Sequence, residues 1–234
     1  MREPLTIAVA QPVCRPGDVA ANVTTHAQAI RAAKARIVVF PELSLTGYEL
    51  GAPALAPDDP RLAPIVEACA ATGSVALVGA PIADDAGAEH IAILAIDRTG
   101  ARVTYHKMWL GSAECDRFTP GTTPGVLELD GWRLGLAVCK DAGVPQHWAE
   151  TAALGIHAYL AGSVKTPDEG DVQDERARGA ATEHGIWVAV ASGAGRNGGE
   201  YDPAAGRSAI WAADGTVVAR AGDHPGEIAR ATLR

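Results

Sequence analysis

The chain has 234 residues, 47% of them hydrophobic, which is enough to bury a sizeable core in one large α/β domain or two small ones. The formal net charge of −8 and the lack of any Lys/Arg run argue against nucleic-acid binding. The four cysteines form no C-x-x-C pair, the N-terminus resembles no signal peptide, and no apolar stretch is long enough to span a membrane. We therefore expect a cytoplasmic protein without a membrane or nucleic-acid partner.

The first half of the chain alternates short apolar runs with amphipathic stretches. The run at residues 5–10 is short and apolar, which predicts a buried strand. Residues 18–36 repeat apolar side chains at helical spacing, and Asp18 is placed to cap that helix. Further elements are predicted as a strand at 37–40, a helix at 60–72 ended by Gly73, and strands at 75–79, 89–97 and 101–106.

The second half opens with a predicted hairpin around Asp130 and Gly131, whose arms are residues 125–129 and 133–138. Pro and Gly are scattered through the loops and are not concentrated in a linker, so we predict one domain over residues 1–234. Alternating helices and buried strands with interspersed hairpins indicate an α/β protein with mixed sheets. The remaining predicted elements are helices at 146–154 and 168–184 and strands at 157–160, 186–191, 208–212 and 216–220.

Three potentially reactive side chains follow predicted strands directly. Glu42 comes after residues 37–40, Lys107 after 101–106, and Cys139 after the second hairpin arm. In open α/β sheets, sites gather at the carboxyl ends of strands, so these three side chains are candidates for one cleft.

The three side chains together would supply a base, an electrophile and a nucleophile for acyl transfer. A thiol with its usual pKa of about 8.5 is mostly protonated at neutral pH, and the carboxylate of Glu42 can take its proton during attack. The ammonium of Lys107 can stabilise the oxyanion on a tetrahedral carbon. A single cysteine at a strand end is nevertheless often only a small buried hydrophobic residue, so Cys139 alone leaves a structural interpretation open.

The segments around these residues resemble the motifs of the nitrilase superfamily of carbon–nitrogen hydrolases, and they occur in the order of that family. The similarity runs from about residue 5 to residue 215. It implies a four-layer α-β-β-α sandwich with two mixed β-sheets, often assembled as dimers that extend the sandwich. It also implies hydrolysis of non-peptide carbon–nitrogen bonds, chiefly amides, without metal or organic cofactor. The matching segments are residues 38–48, 105–110, Glu114 with 118–121, and 135–141.

Carried over position by position, the resemblance implies a role for each of four catalytic residues. Glu42 is the expected general base, Cys139 the nucleophile that forms a thioester, and Lys107 the cation that stabilises the tetrahedral intermediate. Glu114 is expected to orient Lys107 and the substrate. The backbone N–H of Lys140 is the expected second oxyanion donor. The expected pocket wall consists of Tyr48, Trp109, Lys140, Asp141, Gly162 and Ser163.

The expected substrate is a small aliphatic amide or ω-amide, cleaved with release of ammonia or an amine. Nitrile hydrolysis, carbamoyl hydrolysis and N-acyl transfer on the same residues remain alternatives. A binding or assembly member without catalysis is the alternative from another class, although none of the four expected catalytic residues is missing. The resemblance further predicts a homodimer or a higher homo-oligomer.

Other features give weaker hypotheses. Trp109 stands where the family usually has His, which is expected to narrow or reshape the cleft. His147 follows Cys139 on a predicted helix and allows a Cys–His pair as an alternative activation of the thiol. Residues 193–199 are rich in glycine but lack the Lys-Ser/Thr of a phosphate-binding loop, so we interpret them as a flexible loop bordering the site.

Overall fold

A computed structural model describes residues 2–234 and shows two six-stranded sheets packed face to face, with helices on their outer faces. The predicted four-layer α-β-β-α sandwich with two mixed sheets is confirmed. Met1, which belongs to the predicted domain, lies outside the described residues. Among residues 2–234, no helix combines the length and the apolar character needed to cross a membrane.

Most elements lie within a few residues of their predicted bounds. Asp18 caps the first helix as expected, because its carboxylate accepts a hydrogen bond from the Ala21 N–H at 3.0 Å. In chain order the elements are β1 (Leu5–Ala10), α1 (Val19–Ala33), β2 (Ile37–Val39), α2 (Ala63–Thr72), β3 (Val75–Ala83), β4 (Glu89–Asp97), β5 (Gly100–His106), β6 (Gly125–Leu129), β7 (Trp132–Val138), α3 (Pro145–Ala152), β8 (Ala158–Ser163), α4 (Gly170–His184), β9 (Trp187–Ser192), β10 (Ala194–Gly195), β11 (Ala204–Ala205), β12 (Ala209–Trp211), β13 (Val217–Arg220) and β14 (Ile228–Leu233).

The first sheet has the strand order β14-β1-β2-β3-β4-β5. Its centre, β1-β2-β3, is parallel, and the strands on either side pair antiparallel. The second sheet has the order β13-β12-β9-β8-β7-β6, with a parallel centre of β7-β8-β9. In both sheets the parallel strands therefore direct their carboxyl ends toward the same region.

Three apolar layers hold the sandwich together. The largest cluster lies between the sheets and includes Val39 from β2 and Leu160 from β8. A second cluster packs α1 and α2 on the first sheet, and a third packs α3 and α4 on the second sheet. Since both faces of each sheet are covered, the middle strands β2 and β8 are buried throughout and carry near-continuous apolar runs.

β14 is absent from the predicted elements, which end at residue 220. Large apolar side chains occur only at its two ends, Ile228 and Leu233, and Arg230 and Thr232 weaken the apolar signal between them. The strand forms because it pairs antiparallel with β1 along its whole length, from Leu5 opposite Leu233 to Ala10 opposite Ile228. Tertiary pairing thus decides the conformation of a segment whose own β-propensity is modest.

Candidate active site

The two sheets contribute different parts of the candidate site. Glu42 follows β2 and Lys107 follows β5 in the first sheet, whereas Cys139 follows β7 in the second. The side chains of Glu42 and Lys107 are 0% and 1% exposed, and they form an ion pair of 2.6 Å between Nζ and Oε1. Cys139 is buried as well. The packing of the sheets brings these three predicted side chains to one place.

Glu114 is the second carboxylate at Lys107. Lys107 Nζ donates to Glu114 Oε1 at 2.8 Å, and the Tyr48 hydroxyl donates to the same oxygen at 2.6 Å. The Gly111 N–H donates to the other oxygen, Oε2, at 2.7 Å. The ammonium is therefore held between two buried carboxylates, and the position of Glu114 is set by three donors.

Cys139 occupies a sharp turn between β7 and a single 3₁₀ turn over residues 139–143. Its φ of 43° lies in the left-handed region, which costs a non-glycine residue about 1–3 kcal/mol. The thiol donates to the Val164 carbonyl oxygen over 3.3 Å. A strained backbone at the end of a strand thus presents the sulfur to the space between the sheets.

The electrostatic surroundings of Glu42 suit a base. Burial raises its pKa to about 7, while the Lys107 ammonium opposes that rise and the Glu114 charge adds to it. Glu42 Oε2 is buried and has no hydrogen-bond partner among the described residues. One oxygen of Glu42 is thus bound to Lys107, and the other is available to accept a proton.

The thiol and the ammonium have shifted pKa values as well. Burial raises the pKa of Cys139, the Glu42 charge raises it further, and Lys165 and Lys107 oppose the rise. Burial alone would lower the pKa of Lys107, but the charges of Glu42 and Glu114, and of Cys139 whenever it is a thiolate, outweigh burial and raise it. The resting site therefore contains a neutral thiol beside a charged ammonium.

Asp141 was predicted to line the pocket wall, but its side chain is fully buried and serves a structural purpose. Its Oδ1 accepts from the Trp109 N–H at 2.8 Å and its Oδ2 from the Val138 N–H at 2.9 Å. The Tyr105 hydroxyl also donates to Oδ2, at 2.8 Å. Because these donors occupy both oxygens, Asp141 joins the turn at Cys139 to the loop after Lys107.

His147 lies beside this cluster and does not contact Cys139 in the described hydrogen bonds. Its Nε2 is 2.9 Å from the Tyr105 hydroxyl and its Nδ1 is 2.6 Å from the Tyr159 hydroxyl. Burial lowers the pKa of His147 to about 4, so the ring is neutral at physiological pH. Both ring nitrogens are occupied by tyrosines, which argues against the alternative Cys–His pair.

The other expected wall residues fall into different environments. Ser163 lines the cavity that contains Cys139, and Tyr48 contacts the site through Glu114. Trp109 packs edge-on against His147, with 5.3 Å between ring centroids. The Lys140 side chain is exposed and bonds the Leu110 carbonyl at 2.5 Å. The last member, Gly162, lies within β8.

Gly162 is a point of close approach between the sheets. A Cβ atom at this position would lie 2.6 Å from the Phe40 carbonyl oxygen and 3.2 Å from the Glu42 nitrogen. Only glycine lets β8 come so near the loop that carries Glu42. Gly162 therefore sets the distance between the two sheets at the site and does not form a wall.

Four further residues near Cys139 are absent from the sequence-based predictions. Lys165 and Gln173 line the same cavity as Cys139, and so does Arg176. Tyr201, from the segment between β10 and β11, packs edge-on against Tyr48 with 4.6 Å between centroids. The i, i+3 spacing of Gln173 and Arg176 predicts a shared helix face, but nothing in the sequence places that face beside Cys139.

The glycine-rich segment at 193–199 is partly ordered into the short β10–β11 ribbon. Its Asn197 carbonyl accepts from the Tyr48 N–H at 2.7 Å, which ties the segment to the Glu42 loop.

Within residues 2–234, no three His, Cys, Asp or Glu side chains are grouped as metal ligands.

Comparison with known proteins identifies the family. The sequence profile of carbon–nitrogen hydrolases matches residues 6–234. A Pseudomonas protegens protein named "Hydrolase in pqqF 5'region" is 32% identical over 227 residues, which cover 93% of this chain and 79% of that protein. The chain belongs to the carbon–nitrogen hydrolase family.

Solved structures of the nitrilase superfamily resemble this carbon–nitrogen hydrolase closely. An alanine mutant of an amidase from Nesterenkonia sp. AN1, in complex with butyramide, is 26% identical, with a TM-score of 0.88 over 98% of this chain and 90% of that one. Another mutant of that amidase carries the acetamide moiety of fluoroacetamide on its active-site cysteine. Saccharomyces cerevisiae Nit3, at 20% identity, shares the fold with a TM-score of 0.87 over 99% of this chain and 90% of that one.

Proposed function

We propose that this carbon–nitrogen hydrolase cleaves a small aliphatic amide or ω-amide through a thioester on Cys139. The observation that carries the proposal is the buried cluster beside the cysteine, in which Lys107 binds Glu42 Oε1 and leaves Glu42 Oε2 unpaired. An unpaired carboxylate oxygen with a pKa near 7 is suited to move a proton at neutral pH.

The acylation step uses all three residues. Sγ of Cys139 attacks the amide carbon while its proton passes to Glu42 Oε2, and the carbonyl oxygen becomes an oxyanion. Lys107 Nζ and the Lys140 backbone N–H stabilise that oxyanion. Glu42 then returns the proton to the leaving nitrogen, the C–N bond breaks, and ammonia or an amine departs from the thioester.

Deacylation repeats the same chemistry with water as the nucleophile. Glu42 takes a proton from the attacking water, Lys107 again stabilises the oxyanion, and the C–S bond breaks to release the acid and restore the thiol. Glu114 keeps Lys107 in place throughout, since it binds Nζ at 2.8 Å. The likeness to an amidase that binds butyramide supports an amide, rather than a nitrile, as the substrate.

The experiment is an ammonia-release assay over short aliphatic amides, ω-amides, carbamoyl amino acids and nitriles, combined with intact-mass analysis. We expect amides to release ammonia and to add an acyl mass to Cys139. Cys139→Ala removes the nucleophile, so turnover should fall about 10⁴-fold or more. Cys115→Ala, at an exposed cysteine, is the matched control and should retain activity. Retained turnover in Cys139→Ala would refute the thioester.

A further inference from the structure

A chain of buried hydrogen bonds leads from β8 through α3 and β5 to Asp141 in the turn after Cys139. The Tyr159 hydroxyl lies 2.6 Å from His147 Nδ1, and His147 Nε2 lies 2.9 Å from the Tyr105 hydroxyl. That hydroxyl lies 2.8 Å from Asp141 Oδ2. Each of the four linked residues is at most 4% exposed, so the chain is shielded from water. The two tyrosines and the histidine take no part in the acylation or deacylation steps.

The direction of the hydrogen bonds in this chain follows from Asp141. Its oxygens accept the backbone N–H groups of Met108, Trp109 and Val138, which can only donate. A carboxylate surrounded by such donors is best satisfied when it is ionised, so the Tyr105 hydroxyl also donates its proton to Oδ2. The Tyr105 oxygen is then left as an acceptor toward the next member of the chain.

His147 is consequently held in one tautomer. The Tyr105 oxygen requires a donor, so the proton of the imidazole ring lies on Nε2. Burial lowers the pKa of His147 to about 4, so the ring is neutral near pH 7 and Nδ1 carries no proton. Nδ1 therefore accepts, and the Tyr159 hydroxyl donates to it. Every donor in the chain thus points toward Asp141.

The ionisation of Asp141 depends on this arrangement. Burial raises its pKa to about 6, while two backbone N–H groups, the Tyr105 hydroxyl and the Lys107 ammonium oppose that rise. The N–H groups are fixed by the backbone, whereas a hydroxyl hydrogen can rotate toward another acceptor. His147 prevents that rotation, because its Nε2–H already faces the Tyr105 oxygen.

The other titratable groups of the chain are compatible with this arrangement. Glu150, on the same helix as His147, raises the pKa of the ring, but burial outweighs its charge. Burial raises the pKa of Tyr105 and of Tyr159 far above neutrality, and the Asp141 charge adds to the rise. Both hydroxyls therefore keep their protons and remain donors.

We propose that Tyr105, His147 and Tyr159 are positioning residues for the reaction, because their aligned hydrogen bonds hold Asp141 in its ionised form. Ionised Asp141 connects the nucleophile turn to the loop after β5 through N–H groups of both segments. A protonated Asp141 would turn an O–H toward one of these donors and loosen the connection. The inference rests on the proposed function, since the connection acts on catalysis through Cys139.

The tautomer of His147 tests the direction of the chain without any turnover. ¹⁵N NMR of histidine-labelled protein distinguishes an Nε2–H ring from an Nδ1–H ring by the chemical shifts of the two nitrogens, and His147→Gln assigns the signal. We expect an Nε2–H ring that stays neutral down to about pH 5. His224 is the internal control, because its side chain is 81% exposed and should exchange between both tautomers. An Nδ1–H ring at His147 would overturn the inference.

Tyr105→Phe tests the effect on catalysis, because it removes the side-chain donor to Asp141. In the wild type, the pKa values of Glu42 and Asp141, about 7 and about 6, should give log kcat a slope of one and then of two as the pH falls. Loss of a hydrogen bond to a charged group should move the second break up by about one to two pH units. KM should change little, since the substrate does not contact Tyr105.

His147→Leu and Tyr159→Phe extend the test to the residues that do not contact Asp141. Each should move the second break in the same direction as Tyr105→Phe but by less, since it acts through further hydrogen bonds of the chain. His147→Gln keeps both a donor and an acceptor and should restore part of the wild-type pH profile. His224→Gln, at an exposed histidine, is the matched control and should leave the profile unchanged.

Urea unfolding of the same variants separates positioning from a structural role. If the variants lower the unfolding midpoint but leave the acid limb of kcat in place, the three side chains only support the fold and the inference is wrong. If one buried variant does not fold, the wild-type tautomer and the other variants still decide.

The tautomer also separates this inference from the proposed function. Ammonia release combined with an Nδ1–H ring at His147 would refute the aligned chain and leave the amidase chemistry intact. An Nε2–H ring without ammonia release from any amide would refute the amidase chemistry, and with it the catalytic role of the chain, but confirm the direction of its hydrogen bonds.

Discussion

The two oxygens of Glu42 have different surroundings, and this difference matters for the chemistry. Oε1 accepts a hydrogen bond from Lys107 at 2.6 Å, which fixes the carboxylate. Oε2 has no partner within the described residues, although it is fully buried. One atom thus positions the side chain while the other is free to exchange a proton with the thiol, a leaving group or water.

The raised pKa of Glu42 predicts how activity depends on pH. Only the ionised carboxylate can accept a proton, so kcat/KM should fall as the pH drops through about 7. The Glu114 charge contributes to the rise, and Glu114→Gln should therefore move this limb to lower pH while reducing the rate. The measurement is a pH profile of ammonia release for both proteins. An acid limb that stays in place in Glu114→Gln would argue against Glu42 as its source.

The residues of the site were predictable from sequence to different degrees. Glu42, Lys107 and Cys139 each follow a strand directly, and strand ends in an α/β protein converge, so their proximity follows from the pattern. Gln173 and Arg176 lie in mid-helix, and their position beside Cys139 depends on how α4 packs on the second sheet. That packing is a tertiary property, which local periodicity does not encode.

At the scale of elements, the 3₁₀ turn after Cys139 and the loop after β5 form one unit. Asp141 links them, because its four donors include the backbone N–H groups of Val138 and Trp109. All four hydrogen-bond partners of the Asp141 side chain are donors. This suits an ionised carboxylate, because it has no proton and can only accept hydrogen bonds. The unit keeps the nucleophile and Lys107 in a constant relative position, although they belong to different sheets.

Asp141→Asn should therefore weaken both the fold and the catalysis. The amide NH₂ would face at least one N–H or O–H donor, and an unpaired buried donor costs about 1–3 kcal/mol. We expect a lower midpoint of urea unfolding with an unchanged m value, together with a reduced kcat. Asp116→Asn, at an exposed aspartate, is the control and should change neither quantity. If Asp141→Asn unfolded at the same urea concentration as the wild type, the hydrogen bonds of Asp141 would contribute little to stability.

Element boundaries show the same division between local and tertiary causes. The predicted hairpin at 125–138 forms because Asp130 and Gly131, both with positive φ, supply the tight turn that joins β6 to β7. β14 was not predictable in this way, since only its pairing with β1 makes it a strand. Elements with strong turn signals were thus easier to predict than elements held by distant partners.

At the scale of the whole molecule, β14 is an edge strand of the first sheet and covers β1. Its Leu233 side chain is fully buried in the layer between the sheets. The strand therefore contributes to the same core that positions Glu42, although it lies far from Glu42 in sequence. Without β14, the apolar strand β1 would become the edge of the sheet, and an apolar edge strand favours aggregation more than one that carries Arg230 and Thr232.

Leu233→Ala should lower the stability of the whole protein. Truncation of a buried leucine to alanine typically costs about 2–5 kcal/mol, because it removes apolar contacts and leaves a cavity. Chemical unfolding monitored by circular dichroism would measure the loss. Leu154→Ala is the matched control, because Leu154 is 41% exposed and its truncation should cost at most about 0.5 kcal/mol. Equal losses in the two variants would mean that β14 does not contribute to the core.

Because the catalytic residues come from two sheets, the assembly of the site depends on the packing of those sheets. Cys139 belongs to one sheet, and its base and its cation belong to the other, which β8 approaches closely at Gly162. If the sheets separate, the thiol loses Glu42 and Lys107 together, so neither the general base nor the cation that stabilises the oxyanion can assist its attack. A partly unfolded molecule therefore lacks the complete set of catalytic groups, and only the assembled sandwich brings the nucleophile, the base and the cation together.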